Sequence, residues 1–179
     1  MVAPIGVHGL VIEDLYLTKS PEWTFDPLLC VGVAVRRCFV DAFSGEYAVL
    51  RDAFEYNGHN VDGLDMDSCE DVLYDSNVVH SGDDCTAVYS MAPQGKTRNV
   101  TVRNQSCITP LTVTHGLDTA DILFEDSTVD GDWGKVPLYE PRWWHTAHRI
   151  KMDPHTNGTL QRITYRNIVA NSVDLVSEI

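Results

Sequence analysis

The stretch RNVTVRNQSC (Arg98–Cys107) is followed 22 residues later by ADILFEDSTV (Ala120–Val129), and the two align without a gap. Each has apolar residues at its third and fifth positions, polar residues at the sixth and seventh, and an apolar residue at the end. Apolar-polar alternation is the mark of a strand with one buried face. The polar pair marks a bend before a second short strand. Working outward, four more segments fit the same frame: HGLVIEDLYL from His8, VGVAVRRCFV from Val31, EDVLYDSNVV from Glu70 and QRITYRNIVA from Gln161. Their third residues, Leu10, Val33, Val72, Val100, Ile122 and Ile163, lie 23, 39, 28, 22 and 41 apart by subtraction. A repeat of this period built from short strands predicts an all-β chain, a parallel β-helix spanning 1–179 as one domain. The preferred hand of parallel crossovers makes it right-handed. The two long spacings are about twice the short ones, which predicts a degenerate coil hidden in each. Helix is a poor alternative, because β-branched residues dominate and Pro and Gly interrupt every candidate run. The leucine and asparagine spacing of a leucine-rich repeat is absent. No amphipathic capping helix is visible at either end, so the stack is expected to expose strand edges and to belong to a longer chain.

Composition narrows the function. At 179 residues the chain can bury a sizeable core. A net charge of −13 argues against a broad nucleic-acid surface. No apolar run reaches about 18 residues, so no membrane partner is expected. The opening MVAPIGVHGLVIEDLYL lacks the basic start and apolar block of a secretory signal. Three sequons, at Asn99, Asn104 and Asn157, nevertheless suit a secreted glycoprotein. Five cysteines leave one unpaired if two disulfides form, and none has the CxxC spacing of a zinc site. The expectation is a piece of a longer extracellular protein. Its oligomeric state is not set by the pattern.

The negative charge is concentrated. Between Asn60 and Cys85 stand seven aspartates and one glutamate, with no lysine or arginine. Asp62 and Asp83 are 21 residues apart, about one coil, so stacking would set Asp62 beside the Asp83-Asp84 pair. Gly63 and Gly82 suggest tight backbone conformations at both places. Three carboxyl groups on one face repel one another and should raise at least one pKa. A carboxylic acid that keeps its proton beside carboxylates that do not is what glycoside hydrolysis needs. Asp67, Asp71 and Asp75 read as turn and solvent residues. The acids do not follow EF-hand spacing, so no metal is expected.

Those residues resemble a family. Asn60-Val61-Asp62-Gly63 is similar to the Asn-Thr-Asp-Gly motif of glycoside hydrolase family 28, the polygalacturonases and rhamnogalacturonases. Gly82-Asp83-Asp84-Cys85 and Arg149-Ile150-Lys151 match its Gly-Asp-Asp-Cys and Arg-Ile-Lys motifs in order, and Trp23, Pro27 and Cys30 look like its lead-in to a strand. The resemblance implies a right-handed parallel β-helix and an inverting hydrolase acting on pectic polysaccharide, with no cofactor. Asp83 would be the general acid, while Asp62 and Asp84 would hold and deprotonate water, the carboxyls standing roughly 6.5–9.5 Å apart. Asn60, Arg149 and Lys151 would bind substrate, the two cations meeting its carboxylates. Cys85 and Cys107, 22 apart, could stack and bond, and the resemblance supports that pair. Cys30, Cys38 and Cys69 stay open between pairing and burial as free thiols. One departure concerns the family's Gly-His-Gly: Ile108-Thr109-Pro110-Leu111 follows Cys107, and Thr114-His115-Gly116 comes later, so His115 is a possible shifted equivalent.

Trp133, Trp143 and Trp144 offer flat faces to a sugar or to a core, and His145 with His148 lacks a third metal ligand. Two rivals to hydrolysis stand beside it. One is a β-helix that binds polysaccharide without cutting it. The other is a β-helix pectate lyase or esterase; a lyase would need calcium and a base for β-elimination.

Overall fold

The computed structural model describes residues 1–42, 60–131, 146–151, 157–173 and 175–178. Among them there is no helix, and the strands pair in parallel. The chain winds as a right-handed parallel β-helix of stacked coils. The first coil carries β1 (His8–Glu13) and β2 (Tyr16–Thr18), the second β3 (Val31–Arg36), β4 (Phe39–Asp41) and β5 (Met66–Asp67). The third contains β6 (Glu70–Asp75), β7 (Val78–His80) and β8 (Thr86–Ser90). The fourth contains β9 (Lys96–Arg103), β10 (Ser106–Cys107) and β11 (Leu111–Gly116). The last two are β12 (Asp118–Asp130) with β13 (Thr146–Ile150), and β14 (Thr159–Asn171) with β15 (Leu175–Glu178).

The six sequence segments lie in one register. Leu10 pairs with Val33, Val33 with Val72, Val72 with Val100, Val100 with Ile122 and Ile122 with Ile163. Direct pairing across the 39- and 41-residue spacings corrects one expectation: no degenerate coil is hidden in either. The extra length falls largely in 43–59 and in 132–145 with 152–156, outside the described residues. A strand ladder demands contact between neighbouring coils but leaves the path between them unconstrained, so spacing alone cannot separate an inserted loop from an inserted coil.

The fifth-position residues Val35, Tyr74, Val102 and Phe124 form a second buried row, and Val40, Val79, Cys107 and Val129 a third. Full burial of each such side chain contributes about 1.5–3 kcal/mol. The bend anticipated at the seventh position is a left-handed residue in every coil: Asp14, Arg37, Ser76, Asn104, Asp126 and Asn167 all have φ between 50° and 59°. Where the bend needs backbone partners, Asn77 supplies them from inside. It accepts from the Cys38 amide at 2.9 Å and donates to the Val35 carbonyl at 3.1 Å. Position six alternates in sign up the stack: Glu13, Arg36, Asp75, Arg103, Glu125, Arg166. Ion pairs join Arg36 to Glu13 (3.1 Å), Arg103 to Asp75 (2.9 Å) and Arg166 to Glu125.

Candidate active site

The acids of Asn60–Cys85 separate into two groups once the coils are stacked. Met66 pairs with Val88 and Asp67 with Tyr89. Counting back along that register puts Asp62 level with Asp84, 22 residues on, rather than with Asp83. Backbone bonds carry the pairing down to the site: the Gly63 amide donates to the Asp84 carbonyl at 2.9 Å, and the Leu64 amide to the Cys85 carbonyl at 2.9 Å. Gly63 is required here by space, since a Cβ would come within 2.2 Å of Val79 Cγ1 and 2.7 Å of the Cys85 carbonyl oxygen. The left-handed backbone in this turn belongs to Asn60, at φ 56°. Cys85 is locked to Cys107 by a disulfide, Cα–Cα 5.8 Å, immediately after the acidic pair. Cys30, Cys38 and Cys69 are buried free thiols.

Asp62, Asp83 and Asp84 each place a carboxylate oxygen within 4.8 Å of the others. They are 7%, 9% and 3% exposed, so repulsion among them is poorly screened. Each is held differently. Asp84 is fully engaged: Oδ1 accepts from the Thr112 hydroxyl at 2.7 Å and from Arg149 Nη2, and Oδ2 accepts from Lys151 Nζ at 3.1 Å. Asp83 Oδ2 accepts the Asn60 amide at 3.2 Å, and its Oδ1 lies 3.8 Å from Arg149 Nη2. Burial, then the charge of Asp84, pushes the Asp83 carboxyl above its ordinary range. Asp62 is raised further by burial and by Asp84 and Asp83, and its Oδ1 is buried without a hydrogen-bond donor.

The cationic pair comes from β13 and the residue after it. Arg149 pairs with Thr112 of β11 in register. Its side chain is buried, and its guanidinium spans Thr112 and both acids of the pair. Lys151, whose side chain is 42% exposed, keeps an open flank while touching Asp84. The spacing of roughly 6.5–9.5 Å refers to whole carboxyl groups, whereas 4.8 Å bounds their closest oxygens; Arg149 and Lys151 offset part of the negative charge at Asp83 and Asp84. The trio's closeness would also suit one cation, a place that Arg149 and Lys151 already supply with positive charge.

Three hydroxyls went unnoticed in the sequence. Thr112 bridges Asp84 and Arg149. Ser81 donates to the Asp83 and Asp84 carbonyls at 3.1 and 3.2 Å and bonds Thr109 at 2.6 Å. No spacing read from the sequence would have found Thr112, which pairs with Arg149 across 37 residues, a separation that matches none of the coil spacings. His115 lies in β11, where pairing with β8 slips between Val113 and Gly116. Trp133, Trp143, Trp144 and His145 lie outside the described residues. His148 stacks on Tyr165, centroids 4.2 Å apart, rather than facing a second histidine. Asp67 is buried, accepting from Ser68 Oγ at 2.7 Å and the Met91 amide at 2.7 Å, so it caps a turn without being solvated. Asp71 and Asp75 sit outside the core, accepting from the Asn99 and Asn104 amides. Asn157, like Asn99 and Asn104, is exposed.

A family-wide sequence profile, Glycosyl hydrolases family 28, matches residues 5–176. The chain belongs to glycosyl hydrolase family 28. Among its relatives is a Fusarium fujikuroi protein named polygalacturonase, 27% identical over 165 residues, covering 90% of this chain and 40% of that one. A polygalacturonase of Penicillium griseoroseum is 28% identical over 163 residues, covering 90% and 38%. The family 28 chain thus spans about two fifths of the length of these relatives. The crystal structure of a hyperthermoactive exopolygalacturonase from Thermotoga maritima superposes with a TM-score of 0.72 at 17% identity, over 96% of this chain and 36% of that one, and shares its fold.

Proposed function

We propose that this chain carries the catalytic centre of a metal-independent hydrolase of pectic polysaccharide, of galacturonan or rhamnogalacturonan type. The observation that carries the reading is the gathering of Asp62, Asp83 and Asp84, with carboxyl oxygens within 4.8 Å of one another, beside burial that raises the proton affinity of Asp83. Asp83 gives its proton to the leaving glycosidic oxygen. Asp62 takes one from the attacking water, with Asp84 helping to hold that water. A water bonded to two carboxyl oxygens bridges up to about 5.5 Å, twice the usual O–H···O length, so oxygens within 4.8 Å leave room for one. Water attack in a single displacement inverts the anomeric centre. Arg149 braces Asp84, and the half-open Lys151 is the cation left to meet a substrate carboxylate. The Asn60 amide orients the acid. The relatives' names support a pectic substrate. The exposed sequons at Asn99, Asn104 and Asn157 suit glycosylation outside the cell.

The test is incubation with polygalacturonate and with rhamnogalacturonan in the presence of a chelator. New reducing ends without the ultraviolet absorbance of an unsaturated product are expected, and proton NMR should show the inverted anomer first. Chelator-sensitive absorbance would indicate a lyase. A folded chain that yields no product from either polymer would sink the reading. Asp83→Asn should lower kcat on the order of a thousandfold while leaving the circular dichroism unchanged.

A further inference from the structure

Three residues beyond Asp62 lies another acid, Asp65, with 0% exposure. One of its oxygens, Oδ1, accepts the Ala87 amide at 3.2 Å. The other, Oδ2, is buried with no donor, as Asp62 Oδ1 is. The two side chains lie within hydrogen-bonding reach of each other. Two ionised carboxylates cannot satisfy one another, because each only accepts. One proton between them satisfies both.

The surroundings decide which carboxyl keeps it. Asp65 is wrapped by acids and phenols. Asp26 is level with it on the coil below, as the pairing of Phe25 with Leu64 dictates. The charges acting on Asp65 are those of Asp62, Asp26 and Asp84. The Tyr74 hydroxyl donates to its backbone carbonyl at 2.6 Å, and the Tyr89 hydroxyl donates to Asp26 Oδ1 at 3.0 Å, so neither phenol serves its carboxyl. Asp62 by contrast feels Lys151. Negative charge is therefore better tolerated on Asp62.

We propose that Asp65 is a positioning residue that stays protonated and donates its hydroxyl hydrogen to Asp62 Oδ1, so that Asp62 ionises and aims its second oxygen at the attacking water. This rests on Asp62 being the base, as proposed above. Asparagine is the mimic of a carboxylic acid held neutral, since its amide donates from nearly the same place.

Infrared difference spectroscopy of the whole chain near neutral pH, wild type against Asp65→Asn, reads the proton directly. The expected result is an un-ionised carboxyl stretch in the wild type that the substitution removes. An unchanged spectrum means an ionised Asp65 and overturns the proposal. The second reading is turnover on polygalacturonate. Asp65→Asn should keep kcat within about threefold, while Asp65→Val, which cannot donate, should lower it about a hundredfold with KM little changed. If asparagine fails as badly as valine in a folded chain, the donor role is wrong. The spectrum needs no turnover, so loss of the infrared result and loss of the hydrolase reading remain distinguishable.

Discussion

At the scale of single residues, burial rather than pairing governs the acids of the inner face. Asp26, 9% exposed, is pushed up to about 6 from 3.8 chiefly by loss of water, with the Tyr89 hydroxyl pulling the other way. The folded state then binds that proton more tightly than the unfolded chain. Its contribution to stability is complete below about 3.8 and is lost as pH rises through about 6. Asp62, Asp65 and Asp83 act in the same direction. Asp75 acts in the opposite one: Arg103 lowers it to about 2, and its contribution is lost as pH falls through that value. Urea midpoints measured across this range should fall as pH rises from about 4 to above 6, and Asp26→Asn should flatten part of that fall. A wild-type midpoint that rises over the same range would contradict the assignment.

At the scale of elements, the determinant is the coil-to-coil contact. Row residues such as Val72 and Val100 were legible because the buried face repeats every second residue within a coil and recurs from coil to coil. The alternating charges at position six accompany that register on the outside, with ion pairs that are exposed and individually weak. Gly63 was legible as special but for a different reason from the one found. Its φ is ordinary; the third coil simply passes too close for a methyl group. Gly63→Ala should therefore cost about 1–3 kcal/mol by overpacking. It should also push Asp62 off Asp84, so kcat should fall along with the unfolding midpoint. A fully active and equally stable variant would show that the coils have slack at this point. The disulfide between Cys85 and Cys107 anchors the same junction one coil further up.

At the scale of the molecule, the proposed function sets an acidic chain against an acidic polymer. With a net charge of −13, the average field repels polygalacturonate, and attraction is confined to the neighbourhood of Lys151 and Arg149. Salt screens the distant repulsion more than the contact, the screening length being about 10 Å at 0.1 M. KM should consequently fall as ionic strength rises from about 0.01 M to about 0.1 M, with kcat steady. A KM that climbs instead would mean that the two cations dominate binding at range. The end coils expose apolar side chains, among them Val11, Leu15 and Tyr16 on the first and Val169, Leu175 and Val176 on the last.

The amino-acid order by itself determined the coil, the three rows of its core, the bends and the nearness of Asp62 to the Asp83-Asp84 pair. All of these follow from local periodicity, because a strand buries alternate residues and a coil repeats them. Only the tertiary structure decided what that order leaves open. It showed that the long spacings pair directly, that Asp62 stands level with Asp84, that Arg149 is turned inward onto Asp84 and that Thr112 joins them. Each depends on which side chains meet across coils at ångström distance, and on how little water remains between them.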